Sequence, residues 1–305
     1  MKRIVLAYSG SVTTSAAIPW VMERHGAEVV TVTLDVGQGL ELAHIRERAL
    51  AAGAVRAHVI DARDEFVRRH VLPSFRAGAF ADLSAFSTTA QTRPLIARRL
   101  LDLAKMEAAS AVAHGSGCDD PDRVLLEAAI HAIDPSVEIL APTCEWGMSP
   151  EQVVEYARAR GIPAAAGHAG EVDVNLLGRT FYGATNSHHY KLTRSVADAP
   201  NGAALIELEF LHGTPIRTNG VDMPMIEIIE SIETIAGAHG VGRVNLEPDV
   251  VAESPAAVVL HAAYDHLARV APELSGTVKL KLSKGHCEVI GSRTSEDAAV
   301  EKAAF

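Results

Sequence analysis

The sequence predicts an α/β protein, with a doubly wound, mostly parallel sheet in its N-terminal half and an α+β domain after it. Short β-branched segments alternate with helical patterns up to about residue 165, as in β-α-β units. Beyond that point the pattern changes to hairpins. The length of 305 residues exceeds what one small core needs, so we expect two domains, residues 1–165 and 166–305.

Five candidate strands in the first half are each followed by a helical pattern. Ligands of such sheets bind beyond the carboxyl ends of the strands, so a site is expected in the loops after Tyr8, Leu34 and His114. The strands are predicted at Arg3–Tyr8, Glu28–Leu34, Val55–Asp61, Ser110–His114 and Ser136–Ala141, and the helices at about 15–25, 40–52, 62–77, 92–108, 122–132 and 149–160.

Hairpins and two helices are predicted in the second half. Residues 167–199 are rich in His, Asn and Gly and are expected to be irregular. The expected elements are a hairpin of Ala204–Phe210 with Thr214–Arg217, helices at about 223–238 and 255–270, and a hairpin of Gly276–Leu282 with Cys287–Ser292.

Composition excludes several classes of protein. A formal charge of −10 without a Lys/Arg block argues against binding to nucleic acid. The three cysteines are far apart in the sequence, which excludes a disulfide scaffold and a zinc knuckle. The N-terminus lacks the long apolar core of a signal peptide, and no apolar run is long enough to span a membrane. We therefore expect a cytoplasmic protein.

The segment Tyr8–Ser15 is the first candidate site, because it follows a buried strand and precedes a helix. Small hydroxylated residues around Gly10 leave N–H and O–H groups available for phosphate oxygens, with the positive end of the helix dipole behind them. An ordinary capped turn explains the same composition. A kinase P-loop and a dinucleotide-binding G-x-G-x-x-G motif are both absent from the sequence.

Three further loops carry candidate residues, and each has a plain structural alternative. Glycines in residues 33–39 permit close approach to a flat ligand, or form a simple loop. Hydroxyls in residues 87–94 precede Arg93 and either cap the next helix or line the cleft. Three carboxylates in residues 114–122 suit Mg²⁺ or a cationic substrate, or form an acidic turn with Asp122 as a helix N-cap. The acids after Cys118 should raise its pKa, so no thiolate nucleophile is expected.

These loops, in this order, resemble the argininosuccinate synthase family. The resemblance implies an ATP-pyrophosphatase-type N-terminal domain and a synthetase-like C-terminal domain with a shortened extension. In that family ATP activates the ureido oxygen of citrulline as an adenylate, and the amine of aspartate then displaces AMP. The matching segments are Val5–Gly10, Asp35–Gly39, Arg93–Ala97, Ala113–Gly115 and Ile235–Arg243.

The resemblance also implies roles for individual residues. ATP, accompanied by Mg²⁺ without a dedicated protein metal site, is the expected cosubstrate. The catalytic candidates are Asp122, which would orient the nucleophile, and Arg93. The residues expected to hold ATP are Tyr8, Ser9, Gly10, Ser11, Thr14 and Ser15, with main-chain contacts to the nucleoside from Leu34 and Gly115. The expected substrate-binding residues are Thr89, Asp119, Asp120, Asp122, Glu171 and Thr180.

The chain departs from the family pattern at both loops. Ser11 replaces a glycine and Thr13 an aspartate of the family's S-G-G-x-D-T-S loop, and Pro19 follows within the expected helix. Proline lacks an N–H group, so we expect this helix to start later or to kink. In the loop after His114, Gly117, Asp119, Pro121 and Leu125 replace Thr, Lys, Asn and Arg, which should disfavour a dicarboxylate.

Three functions follow from the sequence. The first is an ATP-dependent ligase that forms an adenylate on amine- or amino-acid-like substrates less anionic than aspartate, because the acidic replacements share one sign. The second is a non-catalytic nucleotide-binding or scaffold homologue that partners a biosynthetic enzyme. The third is true argininosuccinate synthase activity in arginine biosynthesis. A homo-oligomer is expected, or a partner enzyme if the chain is not catalytic.

Overall fold

The structure, a computed structural model, describes residues 2–39, 42–76, 90–162, 172–182, 190–247 and 250–294. The chain forms two compact units. The first contains the described residues up to Ala62 and those from Ala90 to 162. The second contains residues 63–76 and the described residues from 172 onwards. The domain division at residue 165 stays a prediction.

Strands and helices alternate in the first unit, and hairpins dominate the second. The strands are β1 Arg3–Ala7, β2 Glu28–Asp35, β3 Arg56–Asp61, β4 Ala111–Ala113, β5 Glu138–Leu140, β6 Val172–Asn175, β7 Gly178–Tyr182, β8 Ala204–Leu211, β9 Thr214–Thr218, β10 Val221–Asp222, β11 Arg243–Glu247, β12 Val250–Glu253, β13 Gly276–Ser283 and β14 His286–Thr294. The α-helices are α1 Val12–His25, α2 Leu42–Ala51, α3 Arg63–Phe66, α4 Leu72–Arg76, α5 Arg93–Met106, α6 Pro121–Ile133, α7 Pro142–Glu145, α8 Pro150–Ala159, α9 Met225–Ala238 and α10 Pro255–Val270. A π-helical turn, Val67–Val71, joins α3 to α4.

The first unit is built on a five-stranded parallel sheet, which confirms the predicted α/β fold. Its strand order is β3-β2-β1-β4-β5. Strands β2 and β3 lie on one side of β1, and β4 and β5 lie on the other, so the direction in which strands are added reverses between β1 and β4. This reversal is the switch point at which open α/β sheets bind ligands. The loops after β1 and β4 both leave the sheet there.

Helices cover both faces of this sheet. Ile4 and Leu6 of β1 lie in an apolar cluster with Ile18 of α1 and Ile45 of α2. Val5, whose side chain alternates with theirs, is fully buried as well. Helix α5 contacts β1, β2 and β4. Burial on both faces explains why the three central residues of β1 are all apolar.

Helix α1 begins immediately after the first loop and continues through Pro19. Of the two outcomes expected from Pro19, a later start of the helix is therefore wrong, and a kink stays a prediction. Pro19 lies in the second turn, where its missing N–H removes one helical hydrogen bond without ending the helix. The packing of Ile18 and Val21, both fully buried, explains why the helix tolerates this loss.

The second unit contains two antiparallel sheets. The order β10-β9-β8-β13-β14 includes both predicted hairpins, and α10 contacts β13 and β14. The other sheet has the order β11-β12-β7-β6. Its strands β6 and β7 lie within residues 167–199, so the expectation of an irregular segment is wrong for residues 172–175 and 178–182. Among the described residues, no helix has both the length and the apolar character needed to cross a membrane.

Candidate nucleotide-binding site

The loop after β1 presents a cluster of hydroxyl groups at the start of α1. Gly10 has a φ of +79°, which turns the chain from the strand into the helix. Ser11 is the N-cap of α1, and its Oγ accepts a hydrogen bond from the N–H of Thr14 at 3.2 Å. The hydroxyls of Ser9, Ser11 and Thr14 lie 3.1–3.2 Å from one another. Oxygen donors and helix N–H groups therefore converge on one point.

Tyr8 and Ser15 lie beneath this cluster. The buried Tyr8 hydroxyl is 2.8 Å from Ser15 Oγ, so the two groups satisfy each other. The backbone of Tyr8 is fixed to β2, because its N–H donates to Val32 O at 2.9 Å and its carbonyl accepts from Thr33 Oγ1 at 2.7 Å. Burial raises the pKa of Tyr8, while the Ser15 hydrogen bond and the charge of Arg48 oppose this rise. These contacts hold the loop from below.

The loop after β4 contacts the first loop directly. A Cβ added to Gly115 would lie 2.6 Å from Thr14 Cγ2, so only glycine fits without displacement. The preceding His114 is almost fully buried. Its Nδ1 accepts from the N–H of Ser116 at 3.3 Å, and its Nε2 lies 3.2 Å from Glu127 Oε1. Burial lowers the pKa of His114, and the charge and hydrogen bond of Glu127 oppose this effect.

The loop after β2 is closed by its own side chains. Gln38 accepts from the N–H of Val36 at 2.7 Å and donates to the carbonyl of Leu34 at 2.5 Å. Asp35 accepts from the N–H of Gly37 at 2.9 Å. Leu34 was predicted to contact a nucleoside through its main chain, and its carbonyl already accepts this one hydrogen bond from Gln38.

The acidic residues before α6 have separate structural roles. Asp120, not Asp122, is the N-cap, accepting from the N–H of Asp122 at 2.9 Å. The cap precedes Pro121 because a proline without an N–H suits the first helical position. Asp122 Oδ2 is 3.1 Å from Nη2 of Arg93, and both side chains are largely buried. The two residues predicted to be catalytic are therefore paired with each other, while Asp119 is exposed.

Cys118 has a raised pKa, in the predicted direction but for a different main reason. The largest cause is a hydrogen bond with the thiol of Cys144, followed by burial and the negative field of Cys144, and Asp119 contributes less. Cys118 Sγ also lies 3.7 Å from the carbonyl of Thr143. Since Cys144 belongs to α7, the thiols connect the β4 loop to the segment after β5.

Three predicted substrate-binding residues cannot be grouped with this cluster. Thr89 and Glu171 lie outside the described residues. Thr180 is fully buried in β7 of the second unit, opposite Ala252 of β12. Arg48, which was not among the residues predicted from the sequence, lies beside Gly10. The sequence does not predict this position, because Arg48 belongs to a charged segment of α2 that is expected to face solvent.

The arrangement fits a nucleotide better than a bare metal ion. Gly10 and Gly115 leave space that a side chain would fill, and the first turn of α1 supplies N–H groups without helical acceptors. Within the part of the chain that the structure describes, no group of three or more His, Cys, Asp or Glu side chains could hold a metal ion.

A glycine-containing loop and a helix N-terminus at the switch point of a parallel sheet define a nucleotide-binding α/β domain. Residues 3–163 match the family model described as the arginosuccinate synthase N-terminal HUP domain, and residues 173–273 match the arginosuccinate synthase C-terminal domain. The chain belongs to the argininosuccinate synthase family.

Curated relatives match over most of the chain. The argininosuccinate synthase of Oceanobacillus iheyensis is 33% identical over an alignment covering 97% of this chain and 85% of the relative. That of Symbiobacterium thermophilum is 36% identical, covering 95% and 77%. That of Synechococcus elongatus is 39% identical, covering 87% and 71%. The resemblance inferred from the sequence motifs is thus confirmed.

Proposed function

We propose that the protein is an ATP-dependent ligase that activates an acceptor as an adenylate and releases AMP and pyrophosphate. The contact between Gly115 and Thr14 carries this proposal, because it joins the two loops at the switch point of a sheet belonging to this family. A nucleotide there meets hydroxyls, helix N–H groups and backbone that a side chain would obstruct.

The binding roles follow from the contacts. Ser9 and Thr14 donate hydroxyl hydrogen bonds to phosphate oxygens, and the first turn of α1 adds N–H groups, while Ser11 caps that turn by accepting from the N–H of Thr14. Tyr8 and Ser15 hold the loop from below rather than touching the ligand. Mg²⁺ bound to the nucleotide neutralises the remaining phosphate charge. The main-chain groups of Leu34 and Gly115 border the nucleoside.

Citrulline and aspartate are the first substrates to test, because the curated relatives bear the name of that reaction over most of this chain. The pairing of Asp122 with Arg93 also weakens the argument against a dicarboxylate. A neutralised Asp122 repels aspartate far less than a free carboxylate would. We propose argininosuccinate formation as the leading candidate reaction.

A different acceptor is the second candidate, favoured by the surface of α6. Leu125 is 47% exposed at the position where the family pattern has an arginine. An exposed leucine cannot form the paired hydrogen bonds that a guanidinium gives to a carboxylate. The neighbouring Gly117 and Pro121 also lack side-chain donors. This candidate requires a substrate with fewer carboxylates than aspartate.

Release of AMP and pyrophosphate distinguishes these candidates. The full chain is incubated with ATP, Mg²⁺ and citrulline, with and without aspartate, and then with amines and neutral amino acids in place of each. AMP formed only with citrulline and aspartate supports the leading candidate, and AMP formed only with another pair supports the second. ATP binding without turnover would instead indicate a non-catalytic homologue. Absence of ATP binding would overturn the proposed function.

Two variants at the start of α6 test the role of Asp122. Asp122→Asn should lower kcat by about a hundredfold if this carboxylate orients the nucleophile, within the usual range for a positioned catalytic group. Asp119→Asn removes the same charge from an exposed neighbour and should change kcat by less than about twofold. Equal effects of both variants on kcat would show that Asp122 contributes only its negative charge and does not orient the nucleophile.

We also propose that the protein works as a homo-oligomer in the cytoplasm, as expected from its sequence. Light scattering of the purified chain measures the mass of the assembly, and a monomer at working concentration would contradict the proposal.

A further inference from the structure

The guanidinium of Arg48, in α2, lies against the loop after β1. A Cβ built on Gly10 would lie 3.1 Å from Nη2 of Arg48 and 3.5 Å from its Cζ. Ile45, one turn earlier in the same helix, lies 3.2 Å from that position. The absence of a side chain at Gly10 therefore allows α2 to bring a cation to the loop. The loop itself, Tyr8–Ser15, contains no charged residue.

This guanidinium has no counter-charge within the described part of the chain. Its Nε–H is buried and donates to no partner among the described residues, and no described carboxylate lies within ion-pair distance of Arg48. By contrast, Arg3, Arg56 and Arg93 in the same unit each pair with a carboxylate. A half-buried cation without a partner is costly, and a bound anion would remove that cost.

The electrostatic influence of Arg48 already reaches the loop. Its charge lowers the pKa of Tyr8, although burial of the phenol outweighs this effect and the Ser15 hydrogen bond contributes more. Tyr8 lies directly beneath the hydroxyl cluster formed by Ser9, Ser11 and Thr14. The cation and the hydroxyl donors therefore belong to one site.

We propose that Arg48 binds the pyrophosphate portion of the ligand held by the loop after β1. Its planar guanidinium can form two parallel hydrogen bonds to phosphate oxygens, an arrangement that a lysine cannot reproduce. The family loop pattern has an aspartate where this chain has Thr13, so less negative charge remains here to oppose the anion. The assignment of this ligand as a nucleotide rests on the proposed function. The assignment of a negatively charged ligand does not, because it follows from the positive charge of Arg48 beside the loop.

Calorimetry with inorganic pyrophosphate, and separately with ATP and Mg²⁺, tests Arg48. The variants are Arg48→Gln and Arg48→Lys, with Arg46→Gln as the matched control, since Arg46 is exposed on the same helix. Loss of the charge-assisted contacts should weaken both ligands in Arg48→Gln by about tenfold to a hundredfold. Arg48→Lys should recover part of that loss. Arg46→Gln should stay within about twofold, as expected for a screened surface charge.

The outcomes separate this assignment from the proposed function. If pyrophosphate and ATP bind equally well to the wild type and to Arg48→Gln, the role of Arg48 is overturned while nucleotide binding stands. If pyrophosphate binding depends on Arg48 but no substrate pair yields AMP, the anion site stands and the ligase function fails. If neither ligand binds to the wild type, both proposals fail. A parallel loss in Arg46→Gln would show that only net charge matters.

Discussion

At the scale of single residues, the two site loops approach each other at an apolar contact. Gly115 lies against the methyl group of Thr14, and that contact fixes how near the loop after β4 comes to the hydroxyl cluster. The strand register, with Leu6 opposite Ala113, brings the loops to the same edge. A larger side chain at residue 115 would therefore push the two loops apart.

Gly115→Ala should weaken ATP binding by about tenfold or more, because displacing Thr14 disturbs both its hydroxyl and the start of α1. Gly117→Ala is the matched control. A Cβ there would meet only Asp120 Cβ at 3.9 Å, an ordinary contact distance. Titration of each variant with ATP and Mg²⁺ measures the dissociation constants. Equal affinities for the two variants would show that the contact with Thr14 is unimportant.

The Arg93–Asp122 pair predicts a cost in stability as well as in activity. Asp122→Asn leaves a largely buried guanidinium without its carboxylate, so the free energy of unfolding should fall by about 1.5–3 kcal/mol. Urea denaturation measures this change. Asp119→Asn, at an exposed position, should leave the midpoint unchanged. If Asp122→Asn is as stable as the wild type, the pair contributes no net stability.

At the scale of elements, the N-terminus of α1 combines two functions in conflict. Ser11 caps the helix by accepting from the N–H of Thr14, and that N–H is one of the groups a phosphate would use. A glycine at this position would release the N–H group. The serine therefore stabilises the start of α1 at the expense of anion binding.

Ser11→Gly should tighten ATP binding, by about threefold to tenfold for one recovered hydrogen bond. It should cost only a few tenths of a kcal/mol in stability, about the usual penalty of glycine at an N-cap. Ser149→Gly is the control, because Ser149 caps α8 in a capping box remote in the chain from the loop. That variant should lose similar stability without any change in ATP affinity. Weaker ATP binding by Ser11→Gly would mean that the serine hydroxyl itself holds the phosphate.

The elements differed in how well the sequence predicted them. The five parallel strands were predicted within a few residues, because short β-branched or apolar segments alternate with helical patterns along this half of the chain. Strands β6 and β7 were missed. They are short, β7 begins with Gly178, and β7 pairs with β12, which is distant in the sequence. Such pairing depends on contacts that no local pattern reveals.

The candidate site was predicted in outline and not in its pairings. The positions of the loops follow from strand ends, and the match of the chain to its family confirms the motifs. The Arg93–Asp122 pair and the approach of Arg48 to Gly10 depend on how α5, α6 and α2 pack on the sheet. Asp122 was also considered as the N-cap of the helix after β4, but Asp120 is the N-cap of α6. Side-chain partners across separate helices are set by packing, which the spacing of motifs does not contain.

At the scale of the whole molecule, the formal charge of −10 means that negative charges repel one another in the folded chain. The pKa values of buried carboxyl groups therefore influence how stability changes with pH. Glu253 is fully buried and accepts hydrogen bonds from Arg179, the Thr193 hydroxyl and three backbone N–H groups. Glu233 of α9 lies near this charge. Burial, reinforced by the charges of Glu253 and Glu230, raises the pKa of Glu233 to about 7.

This raised pKa predicts that the second unit loses stability as the pH rises from about 4.5 to about 7. Below 4.5, Glu233 is protonated in both the folded and the unfolded chain and contributes no difference. Between the two values the unfolded chain releases a proton that the folded chain retains, so the free energy of unfolding falls with pH. Above 7 both forms are ionised and the loss is complete. One group changes the slope by at most about 1.4 kcal/mol per pH unit.

Urea denaturation at several pH values between 5 and 8, roughly the range over which proteins are usually most stable, tests this prediction. Glu233→Gln cannot ionise, so its free energy of unfolding should fall less steeply with pH than that of the wild type. It should therefore be the more stable protein at pH 8. Glu227→Gln removes a charge from an exposed position of the same helix and should keep the wild-type slope. Parallel curves for the wild type and Glu233→Gln would contradict the raised pKa, because burial beside Glu253 would then impose no penalty on ionisation.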